Sequence, residues 1–224
     1  MQLRNLFILI LLCSFSSFTA TAQPKILTPS KTYPFPKNLT AEQYLNLLDT
    51  DDEPTCVLFE DLYSGHCSWY CGGEVDTLHA TSCLQPQGQN TYDAGNAHDF
   101  DHETAWVEGA EGNGIGQCLT YSFAGSCPRV TAVKILNGYC KSKTTWRNNN
   151  RVKRLKMYYN GQPYAILQLR DTRDLQVFEV GTLGYHDNTK PSWTLKFEIL
   201  DVYPGDKYHD TAISELYFDG IDVH

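Results

Sequence analysis

The sequence of 224 residues predicts an all-β fold, an antiparallel β-sandwich of the jelly-roll kind with one short helix near its N-terminus. Three observations carry this prediction. In RLKMYYNGQPYAILQL, Leu155, Met157 and Tyr159 alternate with polar residues up to Asn160-Gly161, the strongest short hairpin signal, and a second apolar run follows. In SWTLKFEILDVY the same period of two runs through Leu195, Phe197 and Ile199, the pattern of a strand with one face in a core and one in water. Long connections rich in Gly, Asn and Asp (86–116, 138–150 and 203–212) separate such segments.

Taken in order, residues 1–22 hold Arg4, an apolar run from Leu6 to Cys13 and a close on Ala20-Thr21-Ala22, the three-part build of a secretory signal cleaved after Ala22. Residues 23–54 read as a linker, with four prolines before Asn38, followed by the short helix. There Thr40 and Gln43 form a capping box, and Leu45, Leu47 and Leu48 supply a partial apolar face. Residues 55–224 form the folded domain, with further strands predicted at 55–60, 117–123, 129–136, 174–180 and 213–219. Past the signal, no segment approaches the ~18 apolar residues of a membrane helix, so the chain is expected to be exported, to the periplasm or beyond the cell.

Charge excludes one class of partner. The chain has 18 basic and 26 acidic residues, a net charge of −8, and loss of Arg4 makes it −9. Nucleic-acid binding rests on neutralising phosphates, so no nucleic-acid partner is expected. Of eight cysteines, seven follow the signal, and export favours disulfides. Cys118 and Cys127 flank what reads as a hairpin and form the expected bridge. Cys56, Cys67, Cys71 and Cys83 cluster with their pairing open, and Cys140 is the odd one. Cys67, Cys71, His79 and Cys83 do not have the common zinc spacing. GNGIGQ at 112–117 lacks a βαβ setting and reads as a turn, not a phosphate cradle. No Ser/His/Asp order or paired-carboxylate motif points to an enzyme.

Loops on a rigid sandwich usually carry function. NGYCKSKTTWRNNNR, residues 137–151, gathers cations around an indole and three asparagines. Sugar recognition needs an aromatic face for the ring and planar amide or guanidinium groups for its hydroxyls. Tyr139, Lys141, Lys143, Trp146, Arg147, Asn150 and Arg151 supply these groups, with Tyr208 and Asp210 at the same rim; Lys141 and Lys143 favour an anionic glycan. The alternative is that Trp146 folds back on the sandwich edge while the cations pair with carboxylates. Asp99 and Asp101, with Glu215 from the last strand, offer hard oxygens for a structural Ca²⁺, although Asx turns also explain the two aspartates. No other cofactor is expected.

Three blocks, NAHDFDHETAWVEGAEGNGIGQ, ILNGYCKSKTTWRNNNRVKRLKMYYNG and LKFEILDVYPGDKYHDTAISELYFDG, with CSWYCGG upstream, resemble the discoidin-like, coagulation factor type C-related domain found in the translocation module of secreted NAD glycohydrolases. The resemblance spans roughly residues 55–224. It implies a galactose-binding-like jelly roll and a non-catalytic glycan-binding role, but no NAD hydrolysis, which belongs to a separate domain in that family. Related jelly rolls often hold a structural Ca²⁺ near the 99–106 turn. Because Tyr, Trp and Arg also dominate protein interfaces, an envelope-assembly or other protein-interaction module is the competing reading.

Overall fold

The chain's structure, a computed structural model, describes residues 23–35 and 69–222. The signal segment, the short helix capped at Thr40, the 55–60 strand, Cys56 and Cys67 lie outside those residues. No helix among the described residues is long and apolar enough to cross a membrane.

The predicted hairpin organises one layer. Strands β7 (Asn150–Tyr159) and β8 (Gln162–Gln168) pair antiparallel around Asn160 and Gly161, both at positive φ (48° and 74°), the conformation that a two-residue turn requires of its central pair. On its other edge β7 pairs antiparallel with β10 (Trp193–Tyr203), which continues through β5 (Cys118–Phe123) to β3 (Thr77–Ala80). The second layer runs from β9 (Leu175–Leu183) through β6 (Val130–Asn137) to β11 (Thr211–Gly220) and the two-residue β4 (Trp106–Val107). The layers join where Thr211 and Ala212 run parallel to Asn150 and Arg151, so hydrogen bonding is continuous across the sandwich.

Alternation dictates which face is buried. Trp193, Leu195, Phe197 and Ile199 of β10 and Leu155 and Met157 of β7 point inward, meeting Val133 and Ile135 of β6, Phe178 of β9 and Leu216 and Phe218 of β11. Phe123 stacks on Trp193 with centroids 4.3 Å apart. Trp69 seals one end, its indole N–H donating to the Pro128 carbonyl at 3.0 Å. Each such fully buried apolar side chain contributes about 1.5–3 kcal/mol.

Two expectations are corrected. Part of the predicted linker is sheet: β1 (Lys25–Leu27) pairs parallel with β8, and β2 (Lys31–Tyr33) pairs antiparallel with β9. A strap from the N-terminal side thereby covers one edge in each layer, and Phe35 ends it beneath the Arg173 guanidinium, 3.8 Å from the ring centroid. Secondly, Cys118 and Cys127 do not bridge. Cys118 opens β5 and Cys127 lies four residues past its end; a six-residue strand spans roughly 17 Å, against the ~7 Å limit between bridged Cα atoms. Cys71, Cys83, Cys118, Cys127 and Cys140 are all free thiols, and burial pushes the Cys140 thiol up to about 12.

Candidate functional site

Three connections meet at one end of the sandwich: the segment before β4, the β6–β7 loop and the β10–β11 loop. The β6–β7 loop is partly helical, with α1 at Lys143–Asn148. Ser142 caps it: its hydroxyl accepts from Thr145 N–H, and the Thr145 hydroxyl accepts from Ser142 N–H, a capping box with Thr in place of the usual Glu or Gln.

The helix turns Trp146 back onto the frame. Its indole N–H donates to the Asn137 carbonyl at 2.8 Å, and the Arg151 guanidinium covers it at 4.7 Å from the ring centroid. The indole packs against the buried cluster of Leu136, Cys140 and Leu175, which Tyr33 and Phe35 also cover. Gly138 makes this packing feasible: at φ 85°, an added Cβ would lie 2.6 Å from Arg151 Cγ and 2.8 Å from Trp146 Cδ1. The expected sugar-stacking indole is therefore a structural one.

Arg151 is likewise committed. Its side chain is 8% exposed and grips Asp171 through two 3.0 Å contacts, while a further nitrogen donates to the carbonyls of Asn149 (3.1 Å) and Pro204 (3.0 Å). Buried Asn150 ties two loops together, its amide donating to the His209 carbonyl and its side-chain oxygen accepting from Gly205 N–H at 2.7 Å. Arg147 pairs with Asp206 at 3.3 Å on the surface, and Lys143 is exposed at the start of α1. These five residues, Lys143, Trp146, Arg147, Asn150 and Arg151, were expected to contact ligand, yet none lines the cleft that the loops enclose.

That cleft has a volume of about 260 Å³. From the β6–β7 loop it takes Tyr139, Lys141, Thr145 and Asn149; from the β10–β11 loop, Tyr208 and Asp210; from the segment before β4, Gln87, Asn90 and Tyr92. Leu84 and Val107 join Tyr92 and Tyr139 in a small apolar cluster that also holds Ala105 and Ala212, a rigid support on the sandwich. The sequence reading thus placed Tyr139, Lys141, Tyr208 and Asp210 in one site and missed Gln87, Asn90, Tyr92 and Asn149. The length and polarity of the 86–116 connection were the available signal for three of these.

The acidic turn lies beside β11. Asp99 and Asp101 accept backbone N–H groups from Asp101 (3.0 Å) and Glu103 (2.9 Å), the Asx turns expected as the metal-free account. Glu215 is nearly fully buried, and among the described residues neither carboxylate oxygen makes a hydrogen bond of ordinary geometry, although the side chains of Tyr217 and Asp99 lie near enough to act on its charge. Burial first, with the charges of Asp99 and Asp101 adding, pushes its pKa up to about 9. Among the described residues no three His, Cys, Asp or Glu side chains form a set that could hold a metal. Any Ca²⁺ at this turn would therefore need backbone carbonyls beside Glu215 and Asp99, a mixture that hard cations accept.

Residues 69–219 match the family described as the NAD glycohydrolase translocation F5/8 type C domain. The chain belongs to this family. Among solved structures it is similar to the CBM32-1, CBM32-2 and M60 catalytic domains of Clostridium perfringens ZmpB, at 13% identity and a TM-score of 0.54, covering 91% of this chain and 17% of that one. It is also similar to the ZmpB CBM32-1 and CBM32-2 domains alone (13% identity, TM-score 0.52, 91% of this chain and 43% of that one). The same domains in complex with GalNAc match at 12% identity with a TM-score of 0.50, covering 90% and 42%. The F5/8 type C chain thus spans less than half the length of these neighbours, which share its discoidin-like sandwich. No curated protein sequence matches it.

Proposed function

We propose that this F5/8 type C domain is a non-catalytic recognition module that binds carbohydrate in the cleft between its three loops. The observation that carries the reading is the convergence of Tyr92, Tyr139 and Tyr208 with Lys141, Asn90 and Asp210 in one open cleft on a rigid frame. Aromatic faces suit the apolar side of a sugar ring, and the amide, ammonium and carboxylate suit its hydroxyls. The structural neighbour solved with GalNAc supports the same reading. Among the described residues Asp210 is the one carboxylate lining the cleft, whereas glycoside hydrolysis ordinarily employs two. The reading puts the protein outside the cytoplasm, in keeping with the secretory-signal pattern of residues 1–22, and we propose a structural role for Ca²⁺, when bound, beside Glu215.

Glycan-array screening followed by calorimetry tests it. Tyr208 is 43% exposed, so Tyr208→Ala leaves the fold intact and weakens binding by about tenfold, the upper range for one aromatic contact. Trp146→Phe retains the affinity. Absence of saccharide binding, together with capture of an envelope protein through the same residues, would instead establish the protein-interaction reading.

A further inference from the structure

The charge of the ligand follows from which polar groups of the cleft already have partners. The Lys141 ammonium donates to Asn90 Oδ1 at 3.1 Å, and the Asn149 amide donates to the Thr145 carbonyl at 2.8 Å. Asp210 differs. Its backbone oxygen is fixed by the Asn150 N–H at 3.0 Å, but its carboxylate has no hydrogen bond or ion pair among the described residues. The phenol oxygens of Tyr92, Tyr139 and Tyr208 have none either. Tyr92 and Tyr139 meet edge to face, centroids 6.3 Å apart and planes at 87°, so two rings stand at right angles in the wall of the cleft. Asp210 lines the same cleft as these rings and Tyr208, and burial, then the charges of Asp210 and Tyr208, raise the pKa of the Tyr92 phenol.

An unengaged anion beside tyrosine faces is a receptor for a cation. Lys141 does not reverse this preference. It is exposed and tethered to a neutral amide, whereas Asp210 is half-buried, where charge interacts more strongly. Lys143, the second cation expected to draw an anionic glycan, lies outside the cleft.

We propose that the cleft selects a saccharide with a free primary amine, a hexosamine unit without its acetyl group, whose ammonium is held by Asp210 and faced by the tyrosine rings. Lys141 then serves the neighbouring hydroxyls. This rests on the carbohydrate reading above and narrows it to one substrate class.

Calorimetric titration of three matched oligosaccharides, made of glucosamine, N-acetylglucosamine and galacturonic acid, decides the matter. At mildly acidic pH the glucosamine oligomer binds about tenfold tighter than the acetylated one, the sum of a cation–π contact and a partly exposed ion pair. Asp210→Asn erases that preference. In the wild type it also fades at alkaline pH, where the amine loses its charge, a readout independent of whether the variant folds. Equal or tighter binding of the acetylated or uronic oligomer, or a preference that survives Asp210→Asn, overturns the inference while leaving carbohydrate binding intact. Failure of all three oligomers overturns the inference, and failure across the glycan array as well sinks the parent reading.

Discussion

Replacing Arg151 by Met separates frame from site. The substitution keeps most of the side chain's volume but removes two hydrogen bonds to the carbonyls of Asn149 and Pro204, a two-point grip on Asp171 and the cover over Trp146. The two carbonyl bonds contribute about 1 kcal/mol each. Asp171, 37% exposed, regains water when released, so that pair adds no more than about 1 kcal/mol. The contact with the indole adds roughly 0.5–1 kcal/mol. Apolar burial of the Met side chain offsets part of the loss, so the expected destabilisation is about 3 kcal/mol. That corresponds to a fall in Tm of about 6–12 °C for a domain of this size. Urea unfolding followed by circular dichroism measures the loss, and calorimetry at low temperature measures saccharide affinity in the folded variant. A loss below about 1 kcal/mol, or an affinity falling tenfold in fully folded protein, would refute the assignment of Arg151 to the frame.

Gly138→Ala places a methyl group at positive φ against Trp146 and Arg151; a loss of about 2–4 kcal/mol in the same unfolding assay is expected, and a neutral effect would contradict the packing. Deleting residues 23–33 uncovers an edge of β8 and an edge of β9, and should lower stability by a few kcal/mol and raise light scattering through strand pairing between molecules. Ca²⁺ at one hundred times its dissociation constant should stabilise the protein by about 2.7 kcal/mol. Glu215→Gln should abolish that gain, and a gain retained in the variant would rule out Glu215 as a ligand. Alkylation followed by mass spectrometry should modify Cys118, Cys127 and Cys140 only after unfolding; a Cys118–Cys127 cross-linked peptide would contradict the strand geometry.

The fold was legible where period and punctuation agreed. Alternation through Leu195, Phe197 and Ile199 and the Asn160-Gly161 turn depend on local sequence, and both appear as expected. Strand β1 was not legible, because Lys25–Leu27 has too few residues to show a period and is strand only because the edge of β8 is there to receive it. Helix α1 was missed because its cap uses Ser142 with Thr145, a weaker signal than Ser with Glu. The site was half legible. Loop location brought Tyr139, Lys141, Tyr208 and Asp210 together. Composition alone did not distinguish a tryptophan that offers its face from one whose N–H is used by Asn137, nor an arginine free to bind from one already holding two carbonyls. That distinction depends on Gly138, whose missing side chain leaves room for both.

The Asn150 bracket has an evolutionary corollary. One amide clasps His209 and Gly205 from within the wall, so the backbone positions that present Tyr208 and Asp210 are set by a residue that never meets solvent. On the carbohydrate reading proposed above, exchanges at 87, 90, 208 or 210 would therefore retarget the domain toward a different sugar while its scaffold stays unaltered, much as interchangeable bits fit one handle.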